Sequence, residues 1–231
     1  MALFLFDIDG TLLRTGTLVH RAAFGHTFRA VYGLPLDLDG MPAGGRTDRW
    51  LLAEPLRRSG MAPQQIEELM PRAFEEMQLY TEQNLSDLRD RVLPGVPQVL
   101  DALQDHGHLL GLLTGNLSRI AHAKLGHAGL DAYFQAGGFG EESENRADLI
   151  PVALAAASAI AGEAITPART VVVGDTPLDV EAGKAHGTLT VGVATGPATR
   201  ESLEASGADL VLATMADHDY AARSMLRLLR A

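Results

Sequence analysis

The sequence contains no cysteine, which excludes disulfide bridges, thiolate metal sites and a cysteine nucleophile. Long apolar runs are missing too. The apolar start, Met1 to Phe6, is interrupted by Asp7 and lacks the basic flank and the length of a signal peptide. The longest stretch free of Asp, Glu, Lys, Arg and His, Leu149 to Gly162, is too short to span a bilayer and contains Pro151. A cytoplasmic location is the expectation. Basic residues are scarce: 19 Lys and Arg stand against 29 Asp and Glu, a formal charge of −10. Nucleic acids and anionic membranes are bound by neutralising phosphates with Lys and Arg, so neither is an expected partner. A small anionic substrate still is, wherever basic groups or a cation converge. Internal repeats and low-complexity tracts are absent. So is the Gly-rich turn of a nicotinamide-binding enzyme after the first apolar run.

What is present is a series of short, almost continuously apolar segments with helical patterns between them. Ala2–Phe6, Leu109–Leu113, Thr170–Val173, Thr190–Ala194 and Asp209–Leu212 read as strands of a parallel sheet covered by helices on both faces. Val99, Leu100 and Leu103 share one face of a helix ending near Gly107, and Pro177–His186 reads as another closed by Gly187. From residue 94 onward the alternation predicts a doubly wound, Rossmann-like α/β core, completed by residues 1–13. Residues 14–93 contain no convincing strand. Ile66, Leu69, Met70, Phe74 and Met77 follow amphipathic-helix spacing, and Val19–Tyr32 and Thr47–Arg58 read as two more helices. An all-helical cap inserted into the core is predicted there, with the turn at Leu93-Pro94-Gly95 marking the return.

The chemistry gathers at strand ends. The first strand runs into Asp7-Ile-Asp9-Gly10-Thr11, the position where open parallel sheets bind ligands. Alone, such a sequence equally fits a plain turn. A second acidic pair leaves another apolar strand in Gly174-Asp175-Thr176-Pro177-Leu178-Asp179. Carboxylates crowded this way repel one another without a cation, and Mg²⁺, which prefers oxygen ligands, resolves the conflict. Between them, Thr114-Gly115-Asn116 supplies a hydroxyl and, at the start of the next helix, main-chain N–H groups suited to phosphate.

Taken together, the motifs DIDGT, LLTGN and VVVGDTPLDV, in that order on those elements, resemble the haloacid dehalogenase-like superfamily over essentially the whole chain. Its most similar members look like phosphoglycolate phosphatases with a helical cap. The resemblance implies a Mg²⁺-dependent phosphatase acting on a small phosphomonoester, phosphoglycolate or a related organic phosphate, as a monomer or homodimer. It implies Asp7 as nucleophile and metal ligand, and Asp9 as general acid and base, with a backbone carbonyl on the metal. It also implies Thr114 as phosphoryl holder and Asp175 and Asp179 as metal ligands, Asp179 directly or one shell out. The basic residue expected before a helix is usually Lys; here Arg146 holds that place, keeping the charge and offering a bidentate grip on phosphate. Lys124 and Lys184, the chain's two lysines, read as helix surface.

Asp7 is expected to stay ionised on the metal, and Asp9 to have a raised pKa beside other carboxylates. In the cap, Gly44-Gly45-Arg46-Thr47-Asp48 offers Arg46 and Thr47 as substrate contacts; the competing reading is that Thr47 caps its helix and Arg46 is solvated. His20, near the hinge, reads as a packed residue or a cleft contact, and Trp50 as cap packing. The alternatives are a β-phosphoglucomutase-type mutase, which tends to have Glu where Gly174 stands, a phospho-Asp signalling module, and a non-catalytic binding protein.

Overall fold

The computed structural model of the protein describes residues 1–14 and 18–229. Six parallel strands form one sheet in the order β3-β2-β1-β4-β5-β6, with β1 Leu3–Phe6, β2 Leu109–Leu113, β3 Ala136–Gly138, β4 Thr170–Gly174, β5 Leu189–Val193 and β6 Leu210–Leu212. β1 reads Leu-Phe-Leu-Phe and every residue is buried, because helices cover both faces. On one side Phe4, Phe6, Val171 and Val173 pack with Val96, Val99, Leu100 and Leu103 of helix α4 (Val96–Asp105). On the other, Leu3, Leu5 and Val172 pack with Leu149, Ile150 and Ala153 of α6 (Leu149–Ala161). The predicted doubly wound core is the observed one. Its one unpredicted strand is β3, a three-residue Ala-Gly-Gly edge with no branched or aromatic side chain.

Among the described residues, three α-helices lie between β1 and α4: α1 Leu18–Tyr32, α2 Asp48–Arg58 and α3 Pro63–Asn84. Phe24, Phe28, Leu52, Leu56, Ile66, Met70 and Met77 form their shared apolar centre. That centre reaches Leu117 and Ile120, which flank or lie within α5 (Ser118–Ala128) beside the sheet. The chain leaves and returns through two adjacent segments: Leu93 N donates to Leu12 O at 3.0 Å, and Arg14 N to Arg91 O at 2.8 Å. This double crossing sets the helices over the carboxyl ends of β1, β2 and β4. Among the described residues, no helix is long and apolar enough to cross a membrane.

Candidate active site

β1 lies between β2 and β4, with Phe6 opposite both Leu112 and Val173. The residues following these three strands, Asp7, Thr114 and Asp175, are therefore neighbours by register alone. The chain winds outward from β1 to β2 and β3, then crosses back to β4, so Asp7 and Asp175 flank the point where strand order reverses. Ligand crevices open at that point in such sheets.

Asp7 is buried, and its Oδ1 accepts a 2.8 Å hydrogen bond from Arg146 Nη2. The same nitrogen lies 2.7 Å from Asp179 Oδ1 and donates to Leu113 O at 2.6 Å. Arg146 is held there by a short helical turn, Arg146–Asp148, capped by the Asn145 side chain, which accepts from Ala147 N. Asp179 is fixed by α7 (Pro177–Ala185): its Oδ2 accepts from Thr176 N at 3.0 Å and Thr176 Oγ1 at 2.7 Å, a capping box. Asp175 sits against glycine backbone. A Cβ on Gly196 would lie 1.6 Å from its Oδ2, and one on Gly10, at φ +96°, 2.3 Å from it. Only glycine permits either approach.

Asp7, Asp175 and Asp179 each present an oxygen within 4.8 Å of the others. Asp175 Oδ2 is buried without a hydrogen-bond donor among the described residues, and Asp179 Oδ1 has the Arg146 guanidinium as its ion-pair partner. Burial, chiefly, lifts the Asp7 carboxyl to about 6, with Asp179 and Asp9 adding to the rise and Arg146 opposing it. Burial, then the charges of Asp7 and Asp179, push Asp175 up to about 9. Burial works against the Arg146 charge, but Asp179 and Asp7 outweigh it and hold the guanidinium pKa above its ordinary value. The donor set is all carboxylate, three groups grouped closely enough to share one ion. That fits Mg²⁺; without an ion the Asp7 carboxyl titrates near neutrality, and the expectation that it stays ionised concerns the metal-bound site.

Asp9 differs in the opposite direction from expectation. Lys124, predicted to lie on a helix surface, is fully buried, and its Nζ donates to Asp9 Oδ2 at 2.6 Å. Asn116 Nδ2 donates to the same oxygen at 3.0 Å. Burial would raise the Asp9 pKa, but the Lys124 ammonium, the His20 ring and these hydrogen bonds outweigh it and hold the carboxyl below the usual range. The neighbouring carboxylates, expected to dominate, do not. Asp9 Oδ1 is left with no partner among the described residues. Lys184 is on the surface as expected, paired with Asp209.

Thr114 is fully buried, and its Oγ1 accepts from Asn116 Nδ2 at 2.8 Å and Asn116 N at 3.2 Å, leaving its own O–H to donate. The predicted row of helix-start amides is already occupied. Leu117 N donates to Asp48 Oδ2 at 2.9 Å, and Ser118 N to the Glu141 carboxylate at 3.0 and 3.1 Å. Gly115 accepts from Asp48 N at 2.7 Å, and a Cβ there would lie 2.0 Å from Arg46 O. Thr47 is the N-cap of α2, accepting from Trp50 N, and its hydroxyl donates to Glu144 O; it does not line the cavity. Arg46 does line it, with its guanidinium 4.5 Å over the Trp50 ring. The cavity, of about 420 Å³, runs from Asp7, Asp9 and Asp175 past His20 to an apolar wall that includes Phe24, Leu38 and Leu51.

A buried acidic centre at the switch point of a parallel sheet, roofed by helices, defines a hydrolytic enzyme with a site able to take a metal. Residues 1–187 match the haloacid dehalogenase-like hydrolase family, and the chain belongs to it. Relatives place it among that family's phosphatases. It is 28% identical to a phosphoglycolate phosphatase of Synechococcus elongatus, over 98% of this chain and 100% of that one. It is 32% identical to the pyrophosphatase PpaX of Listeria innocua, over 92% of each. The fold matches a β-phosphoglucomutase from Clostridium difficile with a TM-score of 0.72 at 17% identity, covering 100% of this chain and 97% of that one.

Proposed function

We propose that the protein is a Mg²⁺-dependent phosphomonoesterase that works through an aspartyl-phosphate on Asp7, with the helices of residues 14–93 serving as its cap. The observation that carries this reading is the division of labour between Asp7 and Asp9. Asp7 belongs to the metal-competent cluster and pairs with Arg146, while Asp9, which lines the same cavity, is held by Lys124 and Asn116 through Oδ2 and keeps a buried Oδ1 without a partner among the described residues. Asp7, Asp175 and Asp179 would hold the ion, Asp179 directly or through water, together with the Asp9 backbone carbonyl. Bound there, Mg²⁺ supplies positive charge to the transferring phosphoryl oxygens and keeps the carboxylates ionised.

The Asp7 carboxylate attacks phosphorus in line, forming the O–P bond as the ester oxygen departs with a proton from Asp9. Asp9 then takes a proton from water, whose oxygen attacks the same phosphorus and releases phosphate and free Asp7. Arg146 and the Thr114 hydroxyl hold the phosphoryl oxygens, alongside Gly115 and Asn116. The cap excludes bulk water during the first step. The cavity suits a small organic phosphate, with phosphoglycolate one member of the class, and Arg46 is one of the cations that line it. Hydrolysis is favoured over a mutase reaction by Gly174: a Cβ there would lie 2.1 Å from Asp179 Cγ, so a glutamate has no room while Asp179 keeps its place.

The test is phosphate release from a panel of phosphomonoesters, p-nitrophenyl phosphate included, with Mg²⁺ and with EDTA. Turnover that requires the metal is expected; well-folded protein with Mg²⁺ bound but inert on every ester would overturn the reading.

Metal binding is also expected to appear in stability. Asp7 and Asp175 have folded pKa values above their unfolded ones, so their contribution is fully present below about pH 4 and is lost as pH rises through about 6 and then 9. Metal-free protein should therefore weaken across that window. Mg²⁺ needs both groups ionised, so its stabilising effect should grow over the same range. At about 100 times its Kd, a ligand adds about 2.7 kcal/mol, or roughly 5–10 °C in Tm for a chain of this size. Thermal melts with and without Mg²⁺ should show that rise at pH 8.5 and little at pH 5. Equal shifts at both would count against the assigned ligands.

A further inference from the structure

We infer that Lys124 is a positioning residue for Asp9, fixing which carboxylate oxygen meets the substrate and tying that choice to the seating of the helical cap. This rests on the reading of Asp9 as general acid and base. Lys124 lies on the buried stripe of α5 with Ile120, Ala121, Leu125 and Ala128. An apolar side chain would pack there without the cost of burying an ammonium, so a lysine at this place calls for partners.

It has a full set. An ammonium has three N–H donors and no acceptor. Lys124 Nζ meets Asp9 Oδ2 at 2.6 Å, Asn116 Oδ1 at 2.6 Å and His20 Nδ1 at 3.1 Å. Each contact fixes something further out. Holding Asn116 by its carbonyl oxygen aims its amide nitrogen at Asp9 Oδ2 and at Thr114 Oγ1. Occupying His20 Nδ1 places the ring proton on Nε2, which meets Asp48 Oδ2 at 3.0 Å. Asp9 Oδ2 thus receives two donors, while Oδ1 is buried and receives none, so Oδ1 is the oxygen left free to carry the proton.

Two members of this chain of contacts belong to the cap. His20 is on α1, and Asp48 opens α2 while accepting from Leu117 N at the start of α5. With the cap lifted, Lys124 loses an acceptor and Asp48 loses its contact with the core. The arrangement of Asp9 seen here is complete only with the cap seated.

The experiment compares kcat/KM for an alkyl phosphate, whose alkoxide must be protonated, with that for p-nitrophenyl phosphate, whose phenolate leaves unaided. The ratio reports the step in which Asp9 gives up its proton. Asp9→Asn sets the scale, with an expected loss of about 10²–10⁴ on the alkyl ester and much less on the aryl ester. Lys124→Met, which keeps the length and removes the charge, is expected to show the same split, with about 10²-fold lost on the alkyl ester and an unchanged Ki for inorganic phosphate. Equal losses on both esters, or none, would reduce Lys124 to a structural role. Should Lys124→Met fail to fold, His20→Phe keeps the lysine and removes its cap acceptor. A several-fold loss confined to the alkyl ester is expected from it, and the absence of a split overturns the proposal. If Asp9→Asn itself shows no split, the reading of Asp9 fails and takes this inference with it; a split there and in neither other variant sinks the Lys124 inference alone.

Discussion

Asp7→Asn is expected to abolish phosphate release, by about 10⁴-fold or more on every ester, the scale seen when a covalent nucleophile is removed. The amide has nearly the shape of the carboxylate but cannot attack phosphorus. Its oxygen can still accept from Arg146 Nη2, so the site need not rearrange. A second consequence separates this loss from misfolding. Burial and its acidic neighbours raise the Asp7 carboxyl to about 6, so above that pH its ionisation costs the metal-free fold stability. The neutral amide removes that cost, and the variant should be more stable than wild type at pH 8 without metal, by on the order of 2 kcal/mol. Calorimetry in EDTA reads the sign directly. Full turnover in a well-folded Asp7→Asn protein would move the nucleophile elsewhere.

The strand-end motifs were legible because two local signals coincide at each of them: a continuous apolar run, then a turn carrying Asp, Thr or Gly. Their convergence follows from the strand order, which places β1 between β2 and β4. The three helices between β1 and α4 were legible too, α3 from its apolar spacing, and Thr47 caps α2, as one of its two readings had it. What escaped depends on contacts distant in sequence. The α5 amides look free for phosphate until Asp48 and Glu141, 69 and 23 residues away, are seen to occupy them. Asp9 looked set for a raised pKa because only its acidic neighbours in sequence were visible, not Lys124, 115 residues on. Lys124 itself did carry a signal. Residues 120, 121, 124, 125 and 128 form one helical stripe, and a lysine in the middle of it cannot point to solvent.

Arg146 is the second residue whose loss should be severe. It is buried, with one nitrogen serving Asp7, Asp179 and Leu113 O and another donating to Gly45 O, in the loop before α2, at 3.3 Å. Arg146→Met strands two buried carboxylates without their cation, a change that typically costs 3–5 kcal/mol. In a chain of this length that lowers Tm by roughly 10 °C. Mg²⁺ should recover part of it, because the ion neutralises the same oxygens. Loss of a charge aimed at the transferring phosphoryl group should lower kcat/KM by about 10²–10³ even in the metal-loaded enzyme. Arg146→Lys keeps the charge but has no second arm for Gly45 O, and a loss of about 10-fold or less is expected. The comparison decides between the two buried cations of the described residues. Lys124 stands against Asp9 and Arg146 against Asp7, so their losses should differ in kind. Arg146→Met should depress alkyl and aryl esters alike, since both must transfer phosphorus to Asp7, whereas the Lys124 effect follows the leaving group. An Arg146→Met enzyme within 10-fold of wild type on both esters would show that the phosphoryl group is not held by Arg146.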